Sequence, residues 1–143
     1  MLVTLILLSI SLAAVMTVFA NYLERTTAQR AAQVFAMDLR FARATAVRGR
    51  EAVVVNFDEG ALSYIVRLSS GDTLLNREFE AGQDIRLDVL DLQMSGDSLV
   101  FDTRGVVDLS GAGSSLGVAR FTAGEMEYDV SFNSMGASRV AIP

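Results

Sequence analysis

Residues 28–49 read AQRAAQVFAMDLRFARATAVRG, and this stretch decides the fold. Its apolar residues recur at alternating steps of four and three: Ala28, Ala32, Phe35, Leu39, Ala42 and Ala46. That spacing places them on one face of an amphipathic helix, because an α-helix completes a turn every ~3.6 residues. Arg48 followed by Gly49 predicts the end of this helix. We expect the apolar face to pack against the remainder of the chain.

The residues before this stretch extend the helix into an uncharged segment. Residues 1–20, MLVTLILLSISLAAVMTVFA, carry no charged side chain, and residues 21–48 contain neither Gly nor Pro. A helix of ~20 residues at ~1.5 Å rise spans a ~30 Å hydrocarbon layer. We therefore predict one continuous helix with a transmembrane and polymerisation half at 1–20 and an amphipathic half at 21–49.

From Ala52 onward the apolar pattern changes to a period of two, which is typical of strands with one solvated face. Residues 126–133, MEYDVSFN, alternate most cleanly. Turn-forming residues separate this strand from seven other predicted strands: 52–57, 61–68, 73–79, 84–93, 98–102, 117–123 and 137–142. The DEG sequence at 58–60 predicts a hairpin between the first two strands. The sequence thus predicts an α+β fold, in which a long N-terminal helix packs on an antiparallel β-sheet domain at 50–143.

Charge is distributed unevenly along the chain. Residues 1–50 contain six arginines against two acids, whereas residues 51–143 contain six arginines against fifteen acids. Non-specific nucleic-acid binding requires clustered positive charge, so the acidic distal part disfavours it. Arg120 and Arg139 are weak candidates for contact with an anionic partner, although solvated strand positions are the more ordinary interpretation.

The sequence lacks the residues that most catalytic and metal sites use. The absence of His and Cys excludes the common nucleophilic triads and zinc sites, and the absence of Lys excludes a Ser–Lys pair. The glycine-rich segment at 110–117 has no Walker lysine. Asp88 and Asp91 are three residues apart, and Asp97 and Asp102 flank a predicted strand. A glycoside hydrolase would need two facing carboxylates in a cleft, whereas acids on strands usually belong to the solvated face. We expect no enzymatic activity, no cofactor and no metal.

Together these features resemble the type IV pilin and type II secretion pseudopilin superfamily. Residues 39–49, LRFARATAVRG, are similar to a GspH/FimT-type pattern, L-R-x-A-R-S-x-A-I-x-R-G, at seven positions: Leu39, Arg40, Ala42, Arg43, Ala46, Val47 and Gly49. The late segments SLVFDTRGVV and YDVSFNSMGASRVAI resemble the last strands of that subfamily, including Gly136 and Arg139.

The resemblance implies a minor pseudopilin of a bacterial type II secretion system, a structural subunit of a short periplasmic filament that helps protein export. It also implies a single-pass inner-membrane protein that a prepilin peptidase processes and that is methylated at its N-terminus. In the filament, we expect five residues of the first half of the helix to pack against other pilin or pseudopilin subunits: Leu5, Leu8, Leu12, Val15 and Phe19. A secretion substrate is a further expected partner, and nucleic acid is not.

The start of the chain departs from the resemblance. Mature chains of the family carry a glutamate at the fifth residue, where this sequence has Leu5, and no acid precedes Glu24. The nearest basic residues lie C-terminal to the apolar segment, although basic residues collect on the cytoplasmic side of a span. We expect a basic leader and a Phe-Thr-Leu-Ile-Glu-like segment before Met1. The alternative is a subunit without the glutamate, like the K-type tip pseudopilin.

Two other functions stay open at this stage. One is a FimT-like minor pilin of a type IV pilus, which acts in pilus assembly or in DNA uptake through basic residues near its C-terminus. The other is a secreted or anchored β-rich binding module, whose signal peptide would be cleaved after Val18-Phe19-Ala20 to leave a mature domain beginning at Asn21.

Overall fold

A computed structural model describes residues 2–80, 83, 85–94, 96–109 and 115–142, with side chains described from residue 22 onward. Within these residues, one helix, α1 (Leu2–Gly49, 48 residues), precedes the strands. Eight strands follow in chain order: β1 (Val53–Asp58), β2 (Ser63–Leu68), β3 (Thr73–Glu78), β4 (Val89–Leu92), β5 (Ser98–Phe101), β6 (Leu116–Ala123), β7 (Met126–Asn133) and β8 (Ser138–Ala141). Most of the glycine-rich segment at 110–117 lies outside the described residues.

The strands form two four-stranded antiparallel sheets, in the orders β3-β2-β1-β5 and β4-β6-β7-β8. The predicted α+β fold is confirmed, since a long helix packs on antiparallel strands and each of the eight predicted segments overlaps one strand. The predicted hairpin at 58–60 joins β1 to β2 with Asp58 opposite Ser63. The sequence indicated one sheet, because a period of two identifies the dry face of a strand but not its neighbours.

The second half of α1 presents a buried stripe to both sheets. The six apolar residues of the predicted stripe are at most 1% exposed: Ala28, Ala32, Phe35, Leu39, Ala42 and Ala46. The alanines allow the helix backbone to approach the strands closely, while two larger side chains fill the space between them. Because this stripe is shared by two sheets, the helix is part of the hydrophobic core rather than an appendage to it.

Phe35 lies at the centre of that core. Its ring centroid is 5.5 Å from that of Phe57 and 5.3 Å from that of Tyr64, both in the first sheet. It is also 5.3 Å from the ring of Phe121 and 6.4 Å from the ring of Phe132, both in the second sheet. Tilted and edge-on aromatic pairs at such distances are favourable. One helix residue therefore joins the two sheets.

A buried polar cluster also fixes α1 to the first sheet. Asp38 accepts a hydrogen bond of 2.7 Å from the hydroxyl of Tyr64 and one of 3.0 Å from the Nε of Arg77. The hydrogen bond to Asp38 raises the pKa of Arg77. A buried carboxylate requires such partners, because its desolvation is otherwise costly.

Of the predicted membrane segment at 1–20 the structure describes the backbone from Leu2 but not the side chains. None of the described residues forms a helix that is both long enough and apolar enough to cross a membrane. The backbone of α1 is helical from Leu2, but the side chains of residues 1–21 are not described. The five predicted filament contacts belong to that undescribed set: Leu5, Leu8, Leu12, Val15 and Phe19.

Candidate interaction surface

An open groove of about 620 Å³ lies between the end of α1 and the turn that joins β7 to β8. We call it the basic groove. Five helix residues, two turn residues and the first residue of β8 line it: Arg40, Arg43, Ala44, Val47, Arg48, Gly136, Ala137 and Ser138. The helix period brings the three arginines to this side of α1, away from the buried stripe. The groove therefore combines apolar walls with three guanidinium groups.

Arg43 is held in place by two tight turns. A Cβ added to Gly105 would lie 2.9 Å from the Cγ of Arg43, and one added to Gly136 would lie 3.4 Å from its Cδ. Both glycines have positive φ, 75° and 67°, which side-chain-bearing residues rarely adopt. The two turns thus pack along the side chain of Arg43, which also lines the groove.

The positive charge of the groove is not neutralised within the described part of the chain. Arg40, Arg43 and Arg48 form no ion pair with any described acid, and no acid lines the groove. Arg40 and Arg48 are exposed and Arg43 is half-buried. An array of this kind favours an anionic partner, because each guanidinium offers several fixed donors to a carboxylate or phosphate.

The outward face of α1 beside the groove carries exposed apolar side chains among its arginines. Met37 is 64% exposed, Phe41 47% and Val47 46%, and Met135 in the β7–β8 turn is 55% exposed. Large exposed side chains that lie together on one helix are typical of a contact surface. The groove and this face together form the part of the domain best suited to bind another protein.

The two arginines singled out from the sequence have different surroundings. Arg120 donates to Asp129 over 2.8 and 3.0 Å and lies 3.7 Å from Glu127, and the bond to Asp129 raises its pKa. Its charge is therefore already balanced by acids on β7. Arg139 is exposed on β8, opposite Ser131, and does not line the groove. The structure does not bring these two residues into one site with the groove.

Two of the four acids considered for catalysis, Asp88 and Asp102, accept backbone hydrogen bonds at turns. Asp88 accepts a 2.6 Å hydrogen bond from the backbone N–H of Gly124. Asp102 accepts bonds of 2.9 Å from the N–H groups of Arg104 and Val106, and the bond from Val106 lowers its pKa. Across the described residues there is no group of three or more acids placed to hold a metal ion.

Sequence comparison identifies the family. The pattern of the family described as type II transport protein GspH matches residues 31–136, which run from the buried stripe of α1 to the basic groove. The chain belongs to the GspH family. It is thus a member of the type IV pilin and pseudopilin superfamily and has the role of a minor pilin or pseudopilin, a subunit that assembles with other pilin-like subunits. No curated protein sequence matches it significantly.

Two solved structures show the same fold as this GspH-family chain. The type IV minor pilin FimU of Pseudomonas aeruginosa aligns with a TM-score of 0.60 and 20% identity, over 85% of this chain and 92% of FimU. The minor pseudopilin EpsH of the Vibrio cholerae type 2 secretion system aligns with a TM-score of 0.56 and 13% identity, over 81% of this chain and 97% of EpsH. At these identities the likeness concerns the fold.

Within this GspH-family chain, the motif at 39–49 has two structural roles. One set of its residues is buried against the sheets: Leu39, Ala42 and Ala46. A second set lines the basic groove: Arg40, Arg43 and Val47. The sequence identified these residues as part of a family motif but did not predict the groove. The sequence signal that could have indicated the groove is the pair of arginines three residues apart, Arg40 and Arg43, followed by Val47.

Proposed function

We propose that the chain is a minor pseudopilin of a bacterial type II secretion system, a structural subunit of a short periplasmic filament that helps protein export. The observation that carries this proposal is the continuous GspH-family match over residues 31–136, whose description is a type II transport protein. The exposed apolar face of α1 supports it, since a filament subunit must present a helix face to its neighbours.

In this proposal the chain has three parts. Residues 1–20 form the transmembrane and polymerisation helix, residues 21–49 its amphipathic continuation, and residues 50–143 the globular periplasmic domain. The uncharged character of 1–20 and the helical backbone from Leu2 to Gly49 support this division. A prepilin peptidase would first process the subunit. When the subunit then leaves the inner membrane, helices of partner subunits would replace the lipid around residues 1–20.

The competing function is that of a minor pilin in a type IV pilus, and the fold similarity to FimU favours it as the second candidate. A secreted binding module is a weaker alternative, because cleavage after Ala20 would divide α1 within its continuous helix. Both filament functions require the first half of α1 to pack against other subunits. A secreted module would lose that half on cleavage, so such packing distinguishes the filament functions from the module.

The test is a deletion of the gene in its own host, complemented with the wild-type chain. We expect the deletion to abolish or strongly reduce export of a type II secretion substrate into the medium, with surface pili and twitching motility unchanged. Loss of pili or motility with normal export would instead establish the type IV pilus. N-terminal sequencing of the mature protein provides a second test, because a chain that begins at Asn21 would contradict both filament functions.

A further inference from the structure

A second charged recess lies near the middle of α1, away from the basic groove. It has a volume of about 550 Å³ and is bounded by the helix, the segment before β4 and the turn that joins β6 to β7. We call it the Glu24 pocket. Seven residues line it: Leu23, Glu24, Thr27, Arg86, Asp88, Ala123 and Gly124. Its polar lining thus combines two carboxylates with one guanidinium and one hydroxyl.

The β6–β7 turn brings the two carboxylates of the pocket together. Gly124 has a φ of 59°, and a Cβ added there would collide with the carboxylate of Glu24. A glycine is therefore required both by the backbone conformation and by the close approach of the helix. The N–H of Gly124 donates a 2.6 Å hydrogen bond to Oδ2 of Asp88. One turn residue thus places an acid of the helix and an acid of the sheet domain in the same recess.

The charges of the pocket are not balanced by neighbours in the described residues. Neither Glu24 nor Arg86 nor Asp88 forms an ion pair there. Arg86 and Asp88 are exposed, and Glu24 is half-buried. A metal ion fits poorly, because the guanidinium repels it and the described residues contain no group of three side chains suited to hold one. A lining of both signs favours a ligand that itself carries an anion and a cation.

The pocket lies just beyond the uncharged segment of α1. Residues 1–20 carry no charge, and the helix residues of the pocket lie within 23–27. At ~1.5 Å rise per residue, they follow Ala20 by about 5–10 Å along the helix. A bilayer of ~40–45 Å contains a hydrocarbon layer of ~30 Å, so each headgroup layer is roughly 5–8 Å thick. With residues 1–20 in the hydrocarbon layer, the pocket is level with the lipid headgroups.

The exposed side chains of α1 at this level are those of a membrane interface. Tyr22 is 64% exposed and Leu23 is 50% exposed. Tyrosine is enriched where hydrocarbon meets water, because its ring is apolar and its hydroxyl is polar. Arg25, which follows them, is also exposed. These side chains support the placement of the pocket at a lipid surface.

We propose that the Glu24 pocket binds the headgroup of an aminophospholipid, phosphatidylethanolamine, in the membrane that holds residues 1–20. Arg86 donates hydrogen bonds to the lipid phosphate, and Glu24 and Asp88 accept them from the primary ammonium. Leu23 contacts the apolar part of the same lipid. The bound lipid holds the β6–β7 end of the globular domain against the bilayer. This proposal rests on the membrane segment of the function proposed above and adds a ligand to it.

The chemistry of the pocket distinguishes this headgroup from other common ones. A primary ammonium offers three N–H donors to the two carboxylates, whereas the quaternary ammonium of phosphatidylcholine offers none. Phosphatidylglycerol has a phosphate for Arg86 but no cation for Glu24 and Asp88. Both of these lipids therefore leave charged groups of the pocket without hydrogen-bonding partners, and such groups are a source of specificity.

A competition between lipids in one bilayer tests the proposal. The full-length chain is reconstituted in vesicles of equal parts phosphatidylethanolamine, phosphatidylcholine and phosphatidylglycerol, and is then extracted in a mild detergent. Native mass spectrometry identifies the lipids that stay bound. We expect one phosphatidylethanolamine per chain, retained about tenfold over each of the other two lipids. Free O-phosphoethanolamine at the concentration of the lipid should not displace it, because the membrane segment keeps the lipid at a high effective concentration.

Charge-neutralising substitutions test the two halves of the pocket. Glu24→Gln should reduce the retention of phosphatidylethanolamine about tenfold, to the level of phosphatidylcholine. Glu125→Gln is its matched control, because this exposed acid lies in the same β6–β7 turn but does not line the pocket. Arg86→Gln should lower the retention of phosphatidylethanolamine and phosphatidylglycerol together. Arg25→Gln, at a similar level of α1 but outside the pocket, should leave the lipid preference unchanged.

Three results would overturn the proposal: equal retention of the three lipids, a preference that Glu24→Gln leaves unchanged, and displacement of the lipid by free O-phosphoethanolamine. Circular dichroism checks that each variant is folded. Flotation of the reconstituted vesicles separates this failure from that of the proposed function. If the chain floats with the vesicles without preferring phosphatidylethanolamine, the membrane segment stands and the headgroup site is wrong. A chain that floats with no vesicles contradicts both.

Discussion

The hydroxyl of Tyr64 donates a 2.7 Å hydrogen bond to Oδ2 of Asp38, which joins β2 to α1 within the interior. The same oxygen accepts a 3.0 Å bond from the Nε of Arg77 on β3. The carboxylate is thus shared by two strands and balanced by one guanidinium. Because the apolar stripe alone would tolerate small rotations of the helix, this directional cluster helps to fix the face that α1 presents to the sheets.

Replacement of Tyr64 by Phe should destabilise the fold without leaving a large cavity. The change removes one hydrogen bond to a buried charged group, and we expect the free energy of unfolding to fall by about 1.5–3 kcal/mol. Urea unfolding of the full-length chain in detergent, followed by circular dichroism, measures this. Tyr22→Phe is the matched control, because that tyrosine is 64% exposed and its loss should change stability by less than about 0.5 kcal/mol.

The same tyrosine should make the fold sensitive to alkali. Burial, together with the nearby carboxylate of Asp38, raises the pKa of Tyr64 above its ordinary value of 10.0. Above that pH the unfolded chain releases the phenol proton while the folded chain retains it. The stability contributed by Tyr64 is therefore present below pH ~10 and is lost at about 1.4 kcal/mol per pH unit above it.

The alkaline effect is measured by urea unfolding of the wild type and of Tyr64→Phe between pH 9 and pH 11.5, roughly bracketing the ordinary tyrosine pKa. We expect the variant, which has no phenol proton at this site, to lose stability less steeply than the wild type. Parallel pH profiles for the two proteins would show that Tyr64 does not titrate differently in the folded and unfolded chains.

The sequence predicted the helix and the strands of this fold better than the contacts between them. The end of α1 at Gly49 and the strands could be predicted because helix and strand periods are local signals. The division into two sheets was not predicted, since strand neighbours such as β1 and β5 are separated by three other strands in the chain. The pairing of Asp38 with Arg77 was not predicted for the same reason, because 39 residues separate them.

The sequence predicted only part of the interaction surface. The motif at 39–49 identified the family resemblance, but it did not indicate which motif residues are buried and which line a groove. Arg139 was selected because it lies near the C-terminus, and Arg120 because the two could form a small basic patch, whereas Arg120 is neutralised by Asp129. The groove requires the β7–β8 turn to meet α1, a contact across about ninety residues that local pattern does not contain.

Two phenylalanines on opposite faces of α1 should respond very differently to truncation. Phe35→Ala removes the ring that contacts both sheets, and we expect a loss of about 3–5 kcal/mol in unfolding free energy. Phe41→Ala affects a side chain that is 47% exposed, so its effect on stability should stay within about 0.5 kcal/mol. Thermal unfolding of both variants measures the difference. Comparable losses would mean that Phe35 is not the link between the sheets.

Gly136→Ala should destabilise the turn that forms one wall of the basic groove. The residue has a φ of 67°, and an added Cβ would lie 3.0 Å from the ring of Phe101 and 3.4 Å from the Cδ of Arg43. We expect thermal unfolding to report a loss of about 1–2 kcal/mol from the left-handed backbone alone. Gly49→Ala is the matched control, since nothing lies within 4 Å of its added Cβ and its φ is not positive. An alanine at the helix end should be neutral or stabilising by up to about 1 kcal/mol, and an equal loss at both glycines would contradict the role of the turn.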